Sequence, residues 1–310
     1  MPKRYPQAIL ASCEVPWDDN YELIEETFRE EVRSTIAKGF NHLYIFGTAG
    51  EGYAVTLSQF DEIVHIFHEE TNIDGVHPMV GVIGMSTPQV VERIGHAYDQ
   101  GFRVFQISLP PWGEVNDREY ITFFTDVCGS FPDAKFVHYN LPRPKRVLLG
   151  REDQILENEV PNLVGTKNCR TDIIEIDSIA RHSRELQHFY GEHGFPQACI
   201  YGECSLLSSW AALFPDQSKE FFNAGVTGQF EKALRMQADF IRVIATMDDL
   251  ERGAGGPGMD GAYDKMIVRA SGADMPLRLL SPYEGFDEET FETWLQEVRN
   301  RVPDWFDDGQ

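Results

Sequence analysis

Eight short apolar runs recur along this chain, and their alternation with helical patterns is the feature that most constrains its fold. The runs cover residues 8–12, 42–47, 79–84, 104–110, 135–142, 162–167, 188–192 and 205–210. Between most of them, apolar residues recur at the spacing of an amphipathic helix, as in 21–39, 56–71 and 87–101. Near-continuous apolar strands are typical of a parallel sheet that helices cover on both faces. The pattern predicts an α/β fold, and eight strands favour a (β/α)8 TIM barrel over a flavodoxin-like open sheet, which usually has fewer strands.

Beyond the eighth run the sequence predicts further helices. A long amphipathic helix over 228–250 is followed by helices at about 262–271 and 287–301. The Gly-rich stretch 253–263 lacks the Gly-Lys-Ser/Thr ending of a phosphate-binding loop, so we interpret it as a flexible connection. We therefore predict a barrel over 1–225, followed over 226–310 by the last barrel helix and a C-terminal helical extension.

Charge, hydropathy and cysteine usage exclude several classes of partner. The formal net charge of −23 would repel phosphate backbones and anionic membranes, so nucleic acid is not an expected partner. No apolar run approaches the roughly 18 residues that a membrane span needs. The five cysteines form no CxxC pair, which argues against a disulfide framework or a zinc cluster. We expect a protein of the reducing cytoplasm that binds no metal and no cofactor.

Lys167 is one of only 8 lysines, and it directly follows one of the apolar runs. Functional side chains of TIM barrels gather where strands end, and several polar residues fall at such positions. These are Thr48, Glu51, Tyr139, Asn140, Lys167, Glu192 and His193. An amine in an apolar lumen is pushed toward its neutral form, and a nucleophilic lysine needs a pKa lowered from about 10.4 toward about 7–8. By position alone, a lysine that reaches out to pair with a carboxylate is the favoured alternative.

The motifs that accompany Lys167 favour the nucleophile instead. They are "ILASCEVPWDDN" (9–20), "FGTAGEGYAVTLSQF" (46–60), "HYNLPRPKRVLLG" (138–150) and "LVGTKN" (163–168). In these motifs the sequence resembles the dihydrodipicolinate synthase and N-acetylneuraminate lyase family of class I, Schiff-base aldolases. That family carries a Gly-Thr-Thr-Gly-Glu motif after strand two, a Tyr-Asn-x-Pro motif after strand five and the imine-forming lysine on strand six. The resemblance extends from about residue 8 to about residue 300.

The resemblance implies a role for each matching position. Lys167 would form an imine with pyruvate or a longer 2-oxo acid, and the Tyr139 hydroxyl would shuttle protons with Thr48 as its hydrogen-bond neighbour. The turn that begins at Gly47 would hold the substrate carboxylate through the backbone amides of Thr48 and Ala49. Leu207 would pack against the pyruvate methyl group, and the backbone carbonyl of Gly191 would face the substrate. Asn140 and Glu51 are expected to have structural roles.

Departures from the family pattern bear on the substrate. Ala49 stands where the family motif has a second threonine, so one hydroxyl contact to the carboxylate is missing. Trp112 and Gly113 follow the "PP" pair where the lysine-biosynthesis enzymes have a tyrosine, and Pro144 occupies the position of their arginine. We therefore predict that the chain is not a true dihydrodipicolinate synthase. Trp112 and Arg143 would instead suit an aromatic or extended acidic acceptor at the barrel mouth.

Other functions stay open at this point. The same imine would serve a dehydratase of sugar-derived 2-oxo acids or a hydratase-aldolase of aromatic 2-oxo acids. A metal-dependent TIM-barrel lyase would draw its ligands from Glu14, Glu51, His138, Glu192 and His193. A non-catalytic protein that binds a 2-oxo acid is a further alternative, although the intact Lys167, Tyr139 and Thr48 argue against it. The resemblance also implies a homo-oligomer, either a dimer or a tetramer.

Overall fold

Eight parallel strands close into one barrel in the computed structural model, which describes residues 4–169, 172–252 and 257–306. The strands are β1 (Ile9–Ser12), β2 (His42–Ile45), β3 (His77–Val82), β4 (Val104–Ile107), β5 (Lys135–Asn140), β6 (Leu163–Asn168), β7 (Gln187–Tyr190) and β8 (Ser205–Ser208). Each strand pairs with the next, and β8 pairs with β1 to close the ring. The predicted TIM barrel is confirmed, and the open-sheet alternative is wrong because no edge strand is left unpaired in this sheet.

Helices follow the strands and cover the outside of the barrel. They are α1 (Glu25–Ala37), α2 (Leu57–Thr71), α3 (Thr87–Asp99), α4 (Asp117–Gly129), α5 (Gly150–Glu159), α6 (Ile173–His182), α7 (Phe195–Tyr201) and α8 (Pro215–Val226). Several of these helices begin at a residue whose side chain caps the helix N-terminus. Thr56 accepts a hydrogen bond from the Gln59 amide at the start of α2, and Asn116 caps α4 in the same way through the Glu119 amide.

Successive side chains of a strand point to opposite faces, and this alternation decides which residues reach the lumen. Tyr44 of β2 packs in the lumen with Val137 of β5, whereas its neighbour Leu43 packs outside with Phe60 of α2. Tyr139 follows Val137 by two residues and therefore points to the same side. The strand pattern thus brings Tyr139 to the lumen near the end of β5.

The C-terminal part differs from the prediction in one element. After β8 the structure has α8 and then α9 (Phe230–Arg252), α10 (Asp260–Ala270), α11 (Glu288–Arg301) and a short 3-10 turn (Pro303–Trp305). The sequence pattern predicts only the helices after it, so α8 is an unpredicted element. Its buried face combines Phe221 with Pro215, Ser218, Ala224 and Gly225, and a single large apolar residue among small or polar ones gives little apolar periodicity.

The extension packs back on the barrel rather than standing apart. Trp294 of α11 lies in one apolar cluster with Trp210, which follows β8. The domain division at 225/226 stays a prediction, and the first residues of the predicted Gly-rich connection, 253–256, lie outside the described residues. In the described parts of the chain, no helix combines the length and apolar character of a membrane span.

Candidate active site

Lys167 lies near the end of β6, and its side chain opens onto a cavity of about 540 Å³ at the mouth of the barrel. The cavity is lined from several elements at once. Tyr44, Ala49, Tyr139, Arg143, Lys167, Gly191, Glu192, Leu207, Asp260 and Asp264 are among the lining residues. Lys167 is only 3% exposed, so its amine meets the cavity rather than bulk water.

Two tyrosine rings enclose the amine of Lys167. The Nζ atom donates a hydrogen bond to the Tyr44 hydroxyl at 3.0 Å, and it lies 4.0 Å from the Tyr139 ring centroid and 4.2 Å from that of Tyr44. Burial lowers the pKa of Lys167, although nearby acidic groups, Asp260 and Asp264 among them, oppose the shift. The environment therefore increases the neutral, nucleophilic fraction of the amine at pH 7.

Tyr44 was missed by the sequence analysis. A tyrosine in the middle of a fully buried strand must find a partner for its hydroxyl, and this signal was available in "HLYIFG". What no local pattern could reveal is that the partner is an amine 123 residues further along the chain.

Tyr139 lies beside Lys167 because the two are register partners on neighbouring strands. Its hydroxyl is 3.1 Å from Thr48 Oγ1, the neighbour expected from the sequence. Burial raises the pKa of Tyr139 well above its usual value, and the hydrogen bond to Thr48 lowers it only in part. The phenol therefore stays protonated near neutral pH, so it can donate or relay a proton but is a weak base.

The turn after β2 folds tightly against the amine. The Glu51 amide donates to the Thr48 carbonyl at 3.2 Å, and the Gly52 amide donates to the Gly47 carbonyl at 3.3 Å. Glycine is needed at position 47, because a β-carbon there would lie 2.9 Å from Cε2 of Tyr44 and 3.3 Å from Nζ of Lys167. The residue type at Gly47 is thus set by how closely the turn approaches the reactive group.

Glu51 is completely buried and accepts three hydrogen bonds. Its Oε1 accepts from Lys265 Nζ at 2.6 Å and from Trp17 Nε1 at 2.8 Å, while Oε2 accepts from the Leu280 amide at 2.6 Å. Glu51 itself has a φ of 57°, in the left-handed region. These contacts fix the turn against the C-terminal extension, in line with the expected bracing role.

Asn140 also has the structural role expected of it. Its side chain donates to the Leu148 carbonyl at 2.8 Å and accepts from the Leu148 amide at 2.9 Å. This pair of bonds closes the loop between β5 and α5. The amide of Asn140 thus shapes the loop that carries Arg143.

Among the described residues, three carboxyl groups line the cavity, and they differ in their partners. Glu192 accepts from the Ser209 amide at 3.0 Å, and Asp260 accepts from Arg143 at 2.5 Å. Asp264 makes no hydrogen bond or ion pair within the described residues, although it is only 6% exposed. Burial raises the pKa of Glu192 to about 7 and raises that of Asp264 well above its usual range.

The remaining predicted substrate contacts divide into two groups. Ala49, Gly191, Leu207 and Arg143 line the cavity, with the Arg143 charge engaged by Asp260. Trp112 does not line it. The Trp112 side chain is 80% exposed, and its backbone carbonyl accepts a hydrogen bond from Lys145.

The candidate metal ligands do not converge. Across residues 4–169, 172–252 and 257–306, no three His, Cys, Asp or Glu side chains are placed to hold a metal ion. His138 lies against Phe124 of α4, with ring centroids 4.9 Å apart, and burial lowers its pKa to about 3. His138 therefore faces the helices, on the opposite side of β5 from Tyr139.

Comparison with known proteins decides the family. Residues 5–250 match the model of the dihydrodipicolinate synthetase family. The chain belongs to this family. The resemblance inferred from the motifs is confirmed, and so is the prediction of a lyase of class I aldolase type.

Individual relatives of this family member are distant in sequence but close in fold. N-acetylneuraminate lyase of Salmonella typhimurium is 22% identical over 240 residues, which cover 77% of this chain and 80% of the lyase. YagE of E. coli K12, a prophage protein of the dihydrodipicolinic acid synthase family solved with pyruvate, has a TM-score of 0.84 at 16% identity, covering 95% and 98% of the two chains. A catalytic lysine mutant of the Ruminococcus gnavus sialic acid aldolase has a TM-score of 0.83 at 14% identity, covering 97% and 98%.

Proposed function

We propose that this member of the dihydrodipicolinate synthetase family binds pyruvate or a longer 2-oxo acid as an imine on Lys167, and makes or breaks a carbon–carbon bond next to it. The observation that carries the proposal is a buried amine of lowered pKa that opens onto a cavity and lies 4.0 Å from the Tyr139 ring centroid. A distant structural neighbour is solved with pyruvate, and another is described through its catalytic lysine.

The first step is attack by the neutral amine on the keto carbon of the acid. The backbone amides of Thr48 and Ala49 are proposed to hold the carboxylate, since the turn brings them to the cavity edge. Neither amide donates to another backbone group of the described residues outside regular helices and strands. The hydroxyl of the resulting carbinolamine then leaves as water, with Tyr139 supplying the proton through its contact with Thr48.

The imine then acts as an electron sink for the neighbouring bond. Leu207 and Gly191 line the same cavity and are proposed to contact the substrate. We do not extend the proposal to an acidic or aromatic acceptor, because Arg143 pairs with Asp260 and Trp112 lies outside the cavity. That the chain is not a true dihydrodipicolinate synthase remains part of the proposal, as do the homo-oligomer and the cytoplasmic location.

Borohydride trapping tests the proposal directly. The protein is incubated with a panel of 2-oxo acids, reduced with borohydride and analysed by peptide mass spectrometry. An adduct on Lys167 with one or more acids is expected, and its mass identifies the acid. Adducts on exposed lysines alone, or activity that is lost on chelation without any adduct, would overturn the proposal.

Tyr139→Phe is expected to slow imine formation by about 10²–10⁴-fold, which is the usual contribution of a general acid. The ring, and with it the packing around the amine, is retained while the hydroxyl is removed. Trapping rates with pyruvate measure the effect. Tyr120→Phe is a matched control, because Tyr120 is a buried tyrosine of α4 outside the cavity. Equal trapping rates in the two variants would count against the role of Tyr139.

Gly47→Ala is expected to reduce turnover by on the order of 10²-fold, because displacing a reactive group by about 1 Å has effects of that size. The added methyl group would push directly on Tyr44 and Lys167. Gly95→Ala in α3 is the control, since its β-carbon would meet nothing within 4 Å. Full activity of Gly47→Ala would show that the turn does not position the amine.

A further inference from the structure

Asp264 is a carboxyl group that the scheme above does not use. It lies on α10, in the C-terminal extension, and its side chain lines the same cavity as Lys167. Asp264 is only 6% exposed. No described residue donates a hydrogen bond to its carboxyl group or forms an ion pair with it. Its oxygens are not among the fully enclosed, unpartnered oxygens of the described residues, so the carboxyl group is accessible from the cavity, where a bound substrate would meet it.

Charged and titratable groups face Asp264 from several elements. They are Glu14 from the segment after β1, Tyr44 of β2, Lys167 of β6, Glu192 after β7 and Asp260 on its own helix. Glu14 is itself 1% exposed, and neither of its oxygens has a hydrogen-bond partner in the described part of the chain. Burial raises the pKa of Glu14 to about 7. Burial and the nearby charge of Glu14 both raise the pKa of Asp264, so the two carboxyls titrate as a coupled pair.

The proposed reaction needs a base at carbon 3, and the scheme above assigns no group to that step. Converting the imine of a 2-oxo acid into an enamine requires removal of a proton from carbon 3. Tyr139 is already assigned to the loss of water from the carbinolamine, through its contact with Thr48. Among the cavity carboxylates, Asp260 is paired with Arg143 and Glu192 is held by the Ser209 amide. Asp264 is the cavity carboxylate left without such a partner in the described residues.

We propose that Asp264 exchanges a proton with carbon 3 of the lysine-bound 2-oxo acid, which makes it a second catalytic residue beside Tyr139. The inference rests on the proposed function. The carbon–hydrogen bond breaks, its electron pair forms the carbon–carbon double bond of the enamine, and the iminium nitrogen accepts the displaced pair. The proton moves to the Asp264 carboxylate, and the reverse transfer regenerates the imine.

Hydrogen–deuterium exchange of pyruvate tests this step without knowledge of the aldehyde partner. In D₂O the enzyme should replace the methyl protons of saturating pyruvate with deuterium, which NMR follows over time. Asp264→Asn keeps the shape but cannot accept a proton, and should slow exchange at least about 100-fold. Borohydride trapping of pyruvate on Lys167 should persist in that variant. Glu192→Gln, which alters another cavity carboxyl, should slow exchange less than about tenfold.

The outcomes separate this inference from the proposed function. Exchange within about threefold of wild type in Asp264→Asn, with trapping intact, would overturn the role of Asp264 alone. Loss of both trapping and exchange from a folded variant would also overturn it, because Asp264 would then serve binding. If wild type forms no adduct with any 2-oxo acid, the proposed function and this inference fall together.

The wild-type pH profile keeps the proposal testable if Asp264→Asn does not fold. Exchange at saturating pyruvate should rise with pH as the raised pKa of Asp264 is crossed, since only the carboxylate accepts a proton. A rate that does not rise anywhere between about pH 5 and about pH 9, the range in which buried carboxyls of raised pKa titrate, would overturn the proposal.

Discussion

Replacing Lys167 with methionine is expected to abolish turnover and, at the same time, to make the protein more stable. Without the amine no imine forms, and loss of a covalent nucleophile lowers kcat/KM by on the order of 10⁴-fold or more. Methionine has a similar length and carries no charge into the lumen. The free energy of unfolding should increase by about 0.5–2 kcal/mol, the range common for single stabilising substitutions.

The size of this stability gain should depend on pH in a defined direction. Burial lowers the pKa of Lys167 in the folded state, whereas the unfolded chain binds the proton up to about pH 10.4. Between these two pKa values the unfolded state holds more protons, so the stability of the wild type rises with pH. The advantage of Lys167→Met should therefore be largest below the folded-state pKa and shrink as the pH approaches about 10.4.

Urea unfolding at several pH values, combined with activity and trapping assays, measures both effects. Lys135→Met is a suitable control, because Lys135 is exposed at the start of β5. It should change neither activity nor the pH dependence of stability. Residual turnover in Lys167→Met close to wild type would remove the basis of the covalent mechanism.

Glu51→Gln is expected to destabilise the fold by about 3–5 kcal/mol, because it leaves the Lys265 amine charged and buried without its counterion. The pair joins Oε1 of Glu51 to Nζ of Lys265 at 2.6 Å, and both side chains have 0% exposure. Breaking it should also loosen the turn that holds Thr48 and Ala49. The KM for the 2-oxo acid should therefore rise more than kcat falls.

A double variant separates the destabilisation caused by the unpaired Lys265 charge from the contribution of the ion pair itself to the free energy of unfolding. Glu51→Gln combined with Lys265→Met removes both charges and should recover part of the lost stability. Glu231→Gln breaks the exposed pair with Arg235 on α9 and should leave the unfolding midpoint unchanged. If the buried and exposed variants behaved alike, the ion pair would have no role in holding the turn.

The barrel itself was predictable from the sequence, because local signals agree with the global fold. Each apolar run has strand length, and the segments between several of them carry helix caps such as Thr56 and Asn116. The missed helix α8 shows where such reasoning fails. Phe221 is the one large apolar residue on its buried face, and the small residues Ser218, Ala224 and Gly225 beside it give little apolar periodicity.

Only those residues of the candidate site that lie at the ends of barrel strands were predictable from the sequence. Lys167 and Tyr139 are adjacent because β5 and β6 are adjacent, and strand order follows from the chain order of a closed barrel. Asp264 and Lys265 reach the site from a helix that lies beyond the barrel strands in sequence. The contact between Glu51 and Lys265 spans 214 residues, and no spacing rule relates such positions.

The close seating of α10 has a consequence for engineering. At Gly261 a β-carbon would lie 2.7 Å from the Ala49 carbonyl oxygen. Only glycine at this position therefore allows α10 to pack this closely against the turn after β2. A protein trimmed back to its eight strands and their partner helices would keep the nucleophile, but Glu51 would lose the Lys265 amine and the Leu280 amide and retain only the Trp17 indole as a partner. Building this site into another protein therefore requires two segments that are distant in sequence, the turn after β2 and the helix α10.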